Sequence, residues 1–208
     1  MDIFLTEQQQ IEQIRHWWKK HGKWVFLFVA ALILINVGWQ VWRHHHEKDL
    51  QHASNHYEWL IDGVVSNNPL VVQAQSRYLL SRYPHTPYAL MAAFMQARQA
   101  INENDLPRAE EKLLWIMDHT RNQAIKQVAR LRAARVMLAQ SQADKALSLL
   151  KKVDDENYLP VVESLRGDVY LAMGKKEEAR VAYEKAVKTL NDQDAVQPFL
   201  QMKLDDIA

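Results

Sequence analysis

The 208-residue chain has no cysteine. That excludes disulfides, thiolate metal sites and cysteine nucleophiles. It also suits an oxidising compartment, where a stray thiol is a liability. Glycine is scarce, with five in the whole chain. No Gly-rich phosphate loop, H-E-x-x-H or G-x-S-x-G motif occurs, and nothing resembles an active site. An excess of one charge is missing too: 26 Lys and Arg stand against 25 Asp and Glu. From Arg43 to Ala208 there are 22 of each. A neutral domain of mixed sign has no phosphate-tracking footprint, so no nucleic-acid partner is expected. The period-2 alternation of strands is absent as well.

What is present first is one long apolar run. Residues 24–42 read WVFLFVAALILINVGWQVW and carry no charge. As a helix this run spans roughly 28 Å, close to the ~30 Å of a bilayer hydrocarbon core. Trp24, Trp39 and Trp42 sit near its ends, where indole rings favour the interface. The run is too long for a signal-peptide core, and no small-x-small site follows it, so an uncleaved anchor is expected. Arg15, Lys19, Lys20 and Lys23 precede it, whereas Arg43 and Lys48 follow. This bias predicts a cytoplasmic N-terminus and a large domain on the other side. The segments expected are therefore 1–23 cytoplasmic, 24–42 transmembrane and 43–208 on the far side of the membrane, which the resemblance described below implies is the periplasm. Within the first, Thr6 and Gln9 have capping-box spacing, and Ile11, Ile14 and Trp17 or Trp18 share a helical face. That stretch reads as a helix on the inner leaflet, a docking helix, or a solvated collar with no partner.

Beyond the span, apolar residues recur at helical spacing. Leu50, Ala53, Tyr57, Leu60 and Val64 make one stripe. Pro69 suits a first helical turn, and Thr86-Pro87 reads as an N-cap followed by proline at N1. Helices are expected to Tyr83, from Pro87 to about Asn102, and at about 107–119, 122–140, 142–153, 158–173, 175–190 and 194–206. Between them, the carboxylate-rich run from Val153 to Asn157 reads as a solvated turn.

The stretch from Val162 to Val187 places small and aromatic residues as a tetratricopeptide repeat does. Gly167 and Tyr170 lie in a first helix, Gly174 at the turn, and Ala179, Tyr183 and Ala186 in a second. Small residues let antiparallel helices approach, and the aromatic ring fills the gap to the next repeat. Ala146 and Ala109 occupy the place of Ala179 in two earlier copies. The fold expected is all-α: a single transmembrane helix, then a tetratricopeptide-repeat-like α-solenoid of three degenerate repeats. Non-repeat helices precede it, and a terminal helix caps it.

The concave face of such a solenoid is lined by the first helix of each pair. The candidate partner-binding residues there are Phe94, Arg98, Ile101, Arg135, Leu138, Asp168 and Leu171. The histidines cluster at His44, His45, His46, His52 and His56. His52 and His56 have i, i+4 spacing, but no carboxylate or cysteine completes a closed site, so neither metal nor cofactor is expected. No small-molecule substrate is expected either.

The whole chain resembles the YfgM family of proteobacterial inner-membrane proteins. The resemblance runs through the N-terminal stretch, the span ending GWQVW, SRYPHTPYALMAAFMQARQAINENDLPRAEE, LRAARVMLAQSQADKAL, VESLRGDVYLAMGKKEEAR and the closing FLQMKLDDIA. It implies an ancillary subunit of the SecYEG translocon with a periplasmic tetratricopeptide domain. Such a subunit works beside periplasmic chaperones, PpiD among them, on proteins leaving the channel. No catalytic motif carries over, and Gly167, Tyr170, Ala179, Tyr183 and Ala186 carry over as structural. The last repeat lacks the usual closing proline, a departure that bears on stacking beyond Leu190. Residues 83–93 also resemble repeats of the cell-division coordinator CpoB, which implies an alternative role as an envelope scaffold for division or wall synthesis.

Overall fold

The computed structural model describes residues 7–153, 155–190 and 197–207. Among the described residues there are nine α-helices and no strand. They are α1 (Glu7–Val65), α2 (Pro69–Arg82), α3 (Pro87–Asn102), α4 (Leu106–His119), α5 (Gln123–Ala139), α6 (Ala143–Leu150), α7 (Leu159–Ala172), α8 (Lys176–Lys188) and α9 (Gln197–Asp205). A 3₁₀ turn, Glu156–Tyr158, precedes α7. Thr6 of the expected capping box lies outside the described residues. So do residues 194–196 of the last expected helix and the side chains of Ile11, Ile14, Trp42, His45 and His46. The chain divides into two compact units, Met1–His52 and Ala53–Ala208.

In the first unit, the stretch Trp17–Val41 is long and apolar enough to cross a membrane, and none of it is buried by protein. Trp24 and Phe26 are 73% and 75% exposed. A core helix of a soluble protein would be covered on at least one face, whereas residues 24–41 are uncharged all round and bare. Beyond the stretch, Arg43 pairs with Glu47 at 3.1 Å and lies over the Trp39 ring.

In the second unit, α2 to α5 start by one chemical rule, while α6, α7 and α8 start without a side-chain cap. Asn68, Thr86, Asp105 and Asn122 each stand at an N-cap, and each side chain accepts a hydrogen bond from the backbone N–H three residues on, at 3.1–3.3 Å. This satisfies donors that the helix leaves open. Proline follows in the first turn at Pro69, Pro87 and Pro107, where its missing N–H costs nothing.

The helix-pair turns share one geometry as well. Asn104, Ser141 and Gly174 all have positive φ, at 59°, 62° and 74°. The next N–H bonds back to the carbonyl of the preceding helix: Asp105 to Ala100, Gln142 to Met137 and Lys175 to Tyr170, at 2.8–2.9 Å. This is the Schellman closure. Asn67 repeats it, with φ 51° and a 2.8 Å bond from Asn68 N–H to Gly63 O. The end of α1, from Ala53 on, therefore forms a fourth pair with α2, where the sequence pattern suggested non-repeat helices. The four turns are spaced 37, 37 and 33 residues apart.

Burial repeats in step with the turns. Counting from each turn residue, the position seven before holds Leu60, Ala97, Ala134 and Gly167, all buried. The position nine after holds Ser76, Leu113, Leu150 and Tyr183, also all buried. The pairs Leu60/Ser76, Ala97/Leu113, Ala134/Leu150 and Gly167/Tyr183 thus trade volume between the two helices. In the last pair the trade is complete: a Cβ added at Gly167 would lie 2.3 Å from the Tyr183 ring.

From α2 on, each helix packs chiefly on its sequence neighbours, and α5 also touches α7, as a solenoid requires. The main core runs from α3 to α7, with a smaller cluster around Ala53, Leu60, Leu79, Ala89 and Ala92. A third cluster joins Ala179, Tyr183 and Ala186 to Leu200 and Ile207. α9 therefore covers the open end of the last pair, and stacking beyond Leu190 is by this lone helix. α6 is shorter than the apolar pattern indicated and ends at Leu150; Val153 reaches the core only from the following turn.

Candidate functional site

The candidate site is the solvent face of the first helices. The turn register that repeats the core repeats this face as well. The position three before each turn holds Val64, Ile101, Leu138 and Leu171. Val64, Ile101 and Leu171 are 46%, 45% and 40% exposed, and Leu138 is half-buried against the main core. An aliphatic side chain thus recurs on the same helix turn in all four pairs. Val64 escaped the sequence reading because its helix was not recognised as part of a pair; the signal available was Asn67-Asn68-Pro69 at the end of the stripe.

The other candidates fall on the same helices. Phe94 is half-buried against the main core, with the Arg132 guanidinium 4.9 Å from its ring centroid. Arg98 and Arg135 are exposed at the position six before the turn. Arg135 also lines a cleft of about 550 Å³ with Glu156, Pro160, Ser164, Leu190 and Phe199. Asp168 stands at the equivalent position in α7 but differs in kind. Its carboxylate accepts a 2.7 Å bond from the Tyr183 hydroxyl and pairs with Lys203 of α9. Lys203 also lies over the Tyr183 and Phe199 rings. The structure therefore places Asp168 in the brace that holds α9. The Tyr183 hydroxyl has its pKa raised, first by burial and then by the hydrogen bond and negative charge of Asp168. It keeps its proton and serves as a donor.

Among the repeat positions, Ala179, Tyr183 and Ala186 are buried together, with Tyr170 packed against them. Gly174 provides the positive φ of the turn. The turn uses the Tyr170 backbone carbonyl, which accepts from Lys175 N–H at 2.9 Å. Glu163 is also buried and takes bonds from Arg166 and Lys185 at 2.7 and 2.8 Å, as a buried charge needs.

His56 bonds to Gln75 at 2.8 Å and packs its ring against Trp59, Tyr78 and Tyr83. His44 and His52 are exposed. Among the described residues, no group of three or more His, Asp or Glu side chains is placed to hold a metal.

Comparison with known proteins adds the family. The model of a tetratricopeptide repeat-like domain matches residues 15–208. A protein of Escherichia coli (strain K12) named ancillary SecYEG translocon subunit is 28% identical over 208 residues, covering all of both chains. Proteins of the same name from Neisseria gonorrhoeae and Haemophilus influenzae are each 27% identical, again over all of both chains. Nothing in these names points to the cell-division alternative. No solved structure gives a match.

Proposed function

The chain belongs to the tetratricopeptide repeat-like domain family, and from that premise we propose that it is a membrane-anchored ancillary subunit of the SecYEG translocon. Its role is to hold proteins or chaperones near the channel rather than to catalyse a reaction. The observation that carries this reading is end-to-end similarity to relatives named as such subunits. The two units supply a physical rationale: a bare apolar helix for the bilayer and a repeat domain for protein contacts.

In this reading residues 1–23 lie in the cytoplasm, 24–42 span the inner membrane, and 43–208 lie in the periplasm. The excess of Lys and Arg before the span supports that direction. The apolar row Val64, Ile101, Leu138 and Leu171, with Phe94, Arg98 and Arg135 nearby, is the contact surface. Its partners are exported chains and periplasmic chaperones such as PpiD. Asp168 supports that surface by fixing α9. Tethering raises local concentration, so contacts in the ~µM range or weaker suffice.

The test is purification of the tagged full-length protein from its own membrane in mild detergent, followed by mass spectrometry of what accompanies it. Translocon subunits together with a periplasmic chaperone are expected. Division or wall-synthesis proteins without translocon subunits would refute the proposal. Protease added outside intact spheroplasts is expected to digest the domain and spare the N-terminal segment.

A further inference from the structure

The second helices α2 and α4, with one face of α3, enclose two adjoining clefts that share Gln73, Gln96 and Arg108. The larger holds about 410 Å³ and the smaller about 170 Å³. The larger is in the range of ligand clefts, ~300–1,000 Å³. Neither includes the apolar row of the first helices.

The lining has a consistent chemistry. Arg77, Arg108 and Lys112 bring three cations, against one lining carboxylate, Glu111. Arg77 is exposed and makes no ion pair among the described residues. Arg108 meets Glu103 at 3.4 Å, and Lys112 meets Glu111 at 2.8 Å. Both carboxylates are largely open to water, and such pairs contribute little. An incoming carboxylate can therefore compete for the cations.

The floor carries a second, independent sign. Ser76 is 1% exposed and lines the smaller cleft, yet its hydroxyl has no hydrogen-bond partner among the described residues. A buried hydroxyl without a partner costs free energy, which a ligand acceptor would recover once a side-chain shift uncovers this hydroxyl, itself sealed from solvent. Gln96, 9% exposed, adds an amide at the point where the clefts meet.

The ends of the clefts are apolar: Leu80 and Trp115 at one, Leu70 and Val72 at the other. An inorganic anion would meet the cations and leave these ends wet. We propose that this double cleft binds a short acidic peptide segment. One carboxylate would sit at the junction of Arg108, Gln96 and Ser76, and neighbouring apolar side chains would cover Leu80 and Trp115. This inference stands apart from the translocon reading, since neither the anchor nor the apolar row enters it.

The test uses the full-length protein in nanodiscs of zwitterionic lipid. Its probe is a fluorescent capped hexapeptide of alternating Glu and Leu, compared with the Gln/Leu version by anisotropy at low salt. The Glu peptide is expected to bind and the Gln peptide at least tenfold more weakly. Arg77→Glu, at an exposed position, combined with Arg108→Ala is expected to weaken binding at least tenfold. Ser76→Ala is expected to weaken it about threefold while leaving the melting temperature unchanged or higher, which a merely structural role for the hydroxyl would not do. Arg77→Glu alone, should the double variant fold poorly, is expected to weaken binding several-fold. Equal binding of the Gln peptide, or binding indifferent to Arg77→Glu, would overturn the proposal. So would displacement of the peptide by inorganic phosphate at the peptide's own concentration, which would show a free-anion site instead.

Discussion

Residues 24–41 and the four helix pairs use the same helical period for opposite ends. In the first unit the apolar side chains point outward in every direction, with Phe26 and Leu34 both more than 70% exposed. In the second, the equivalent surface is folded inward: Ala97, Leu113, Ala134 and Leu150 are buried. The difference lies in the solvent. A helix apolar all round is stable where lipid covers it, whereas a helix with one apolar stripe needs a neighbour of its own kind. The row at Val64, Ile101 and Leu171 is intermediate, apolar residues on otherwise water-facing helices, which is the ground for proposing it as the contact surface.

The largest effect that breaks this contrast is in the span. Ile33→Arg with Leu34→Arg places two charges at mid-bilayer, at about 2.5–3.5 kcal/mol each. Carbonate extraction should find the variant protein lost from membranes, while its domain melts as before.

Next comes the tightest contact of the second unit. Gly167→Ala drives a methyl into the buried Tyr183 ring and should destabilise the domain by about 1–3 kcal/mol in chemical denaturation. The Ala/Leu combination of the second and third pairs already fits this geometry. Gly167→Ala with Tyr183→Leu should therefore recover part of the loss.

Alkaline pH sharpens the role of the same ring. The folded state holds the Tyr183 proton above its ordinary pKa of 10.0, while the unfolded chain releases it. Tyr183 therefore contributes stability that is present below pH 10 and falls as pH rises through that value, by up to about 1.4 kcal/mol per pH unit. Tyr183→Phe should remove that part of the pH dependence in melting curves between pH 9 and 11. The smallest effect is at a cap: Thr86→Ala leaves the Ala89 N–H unsatisfied and should cost about 1 kcal/mol in the same assay.

Much of this was legible in the sequence because it is local. The uncharged run, Thr86-Pro87 and the alanines at 109, 146 and 179 are all set by spacing along one helix; the packing of Tyr183 on Gly167 of its own pair, rather than into the gap to the next repeat, is not. The fourth pair was hidden because Val72 stands where the other pairs have alanine and Leu60 where Gly167 marks the last. Only the turn at Asn67 betrays it, through its backbone rather than its side chain. Asp168 read as a groove residue because Lys203 lies 35 positions away, and no period connects them. The cleft at Ser76, Gln96 and Arg108 was invisible for the same reason: three helices supply it, and none has a pattern that names it.

The central claim is that the apolar row of an anchored repeat domain works at the translocon. The most direct measurement places a photo-crosslinker singly at Ile101, Leu171 and Val181 of the full-length protein in its native membrane. Val181 is exposed on a second helix and serves as the comparison. Adducts with exported chains, chaperones or translocon subunits from Ile101 and Leu171, and few from Val181, are the predicted result. Equal yields from Val181, or adducts containing no secretion component, would contradict the account.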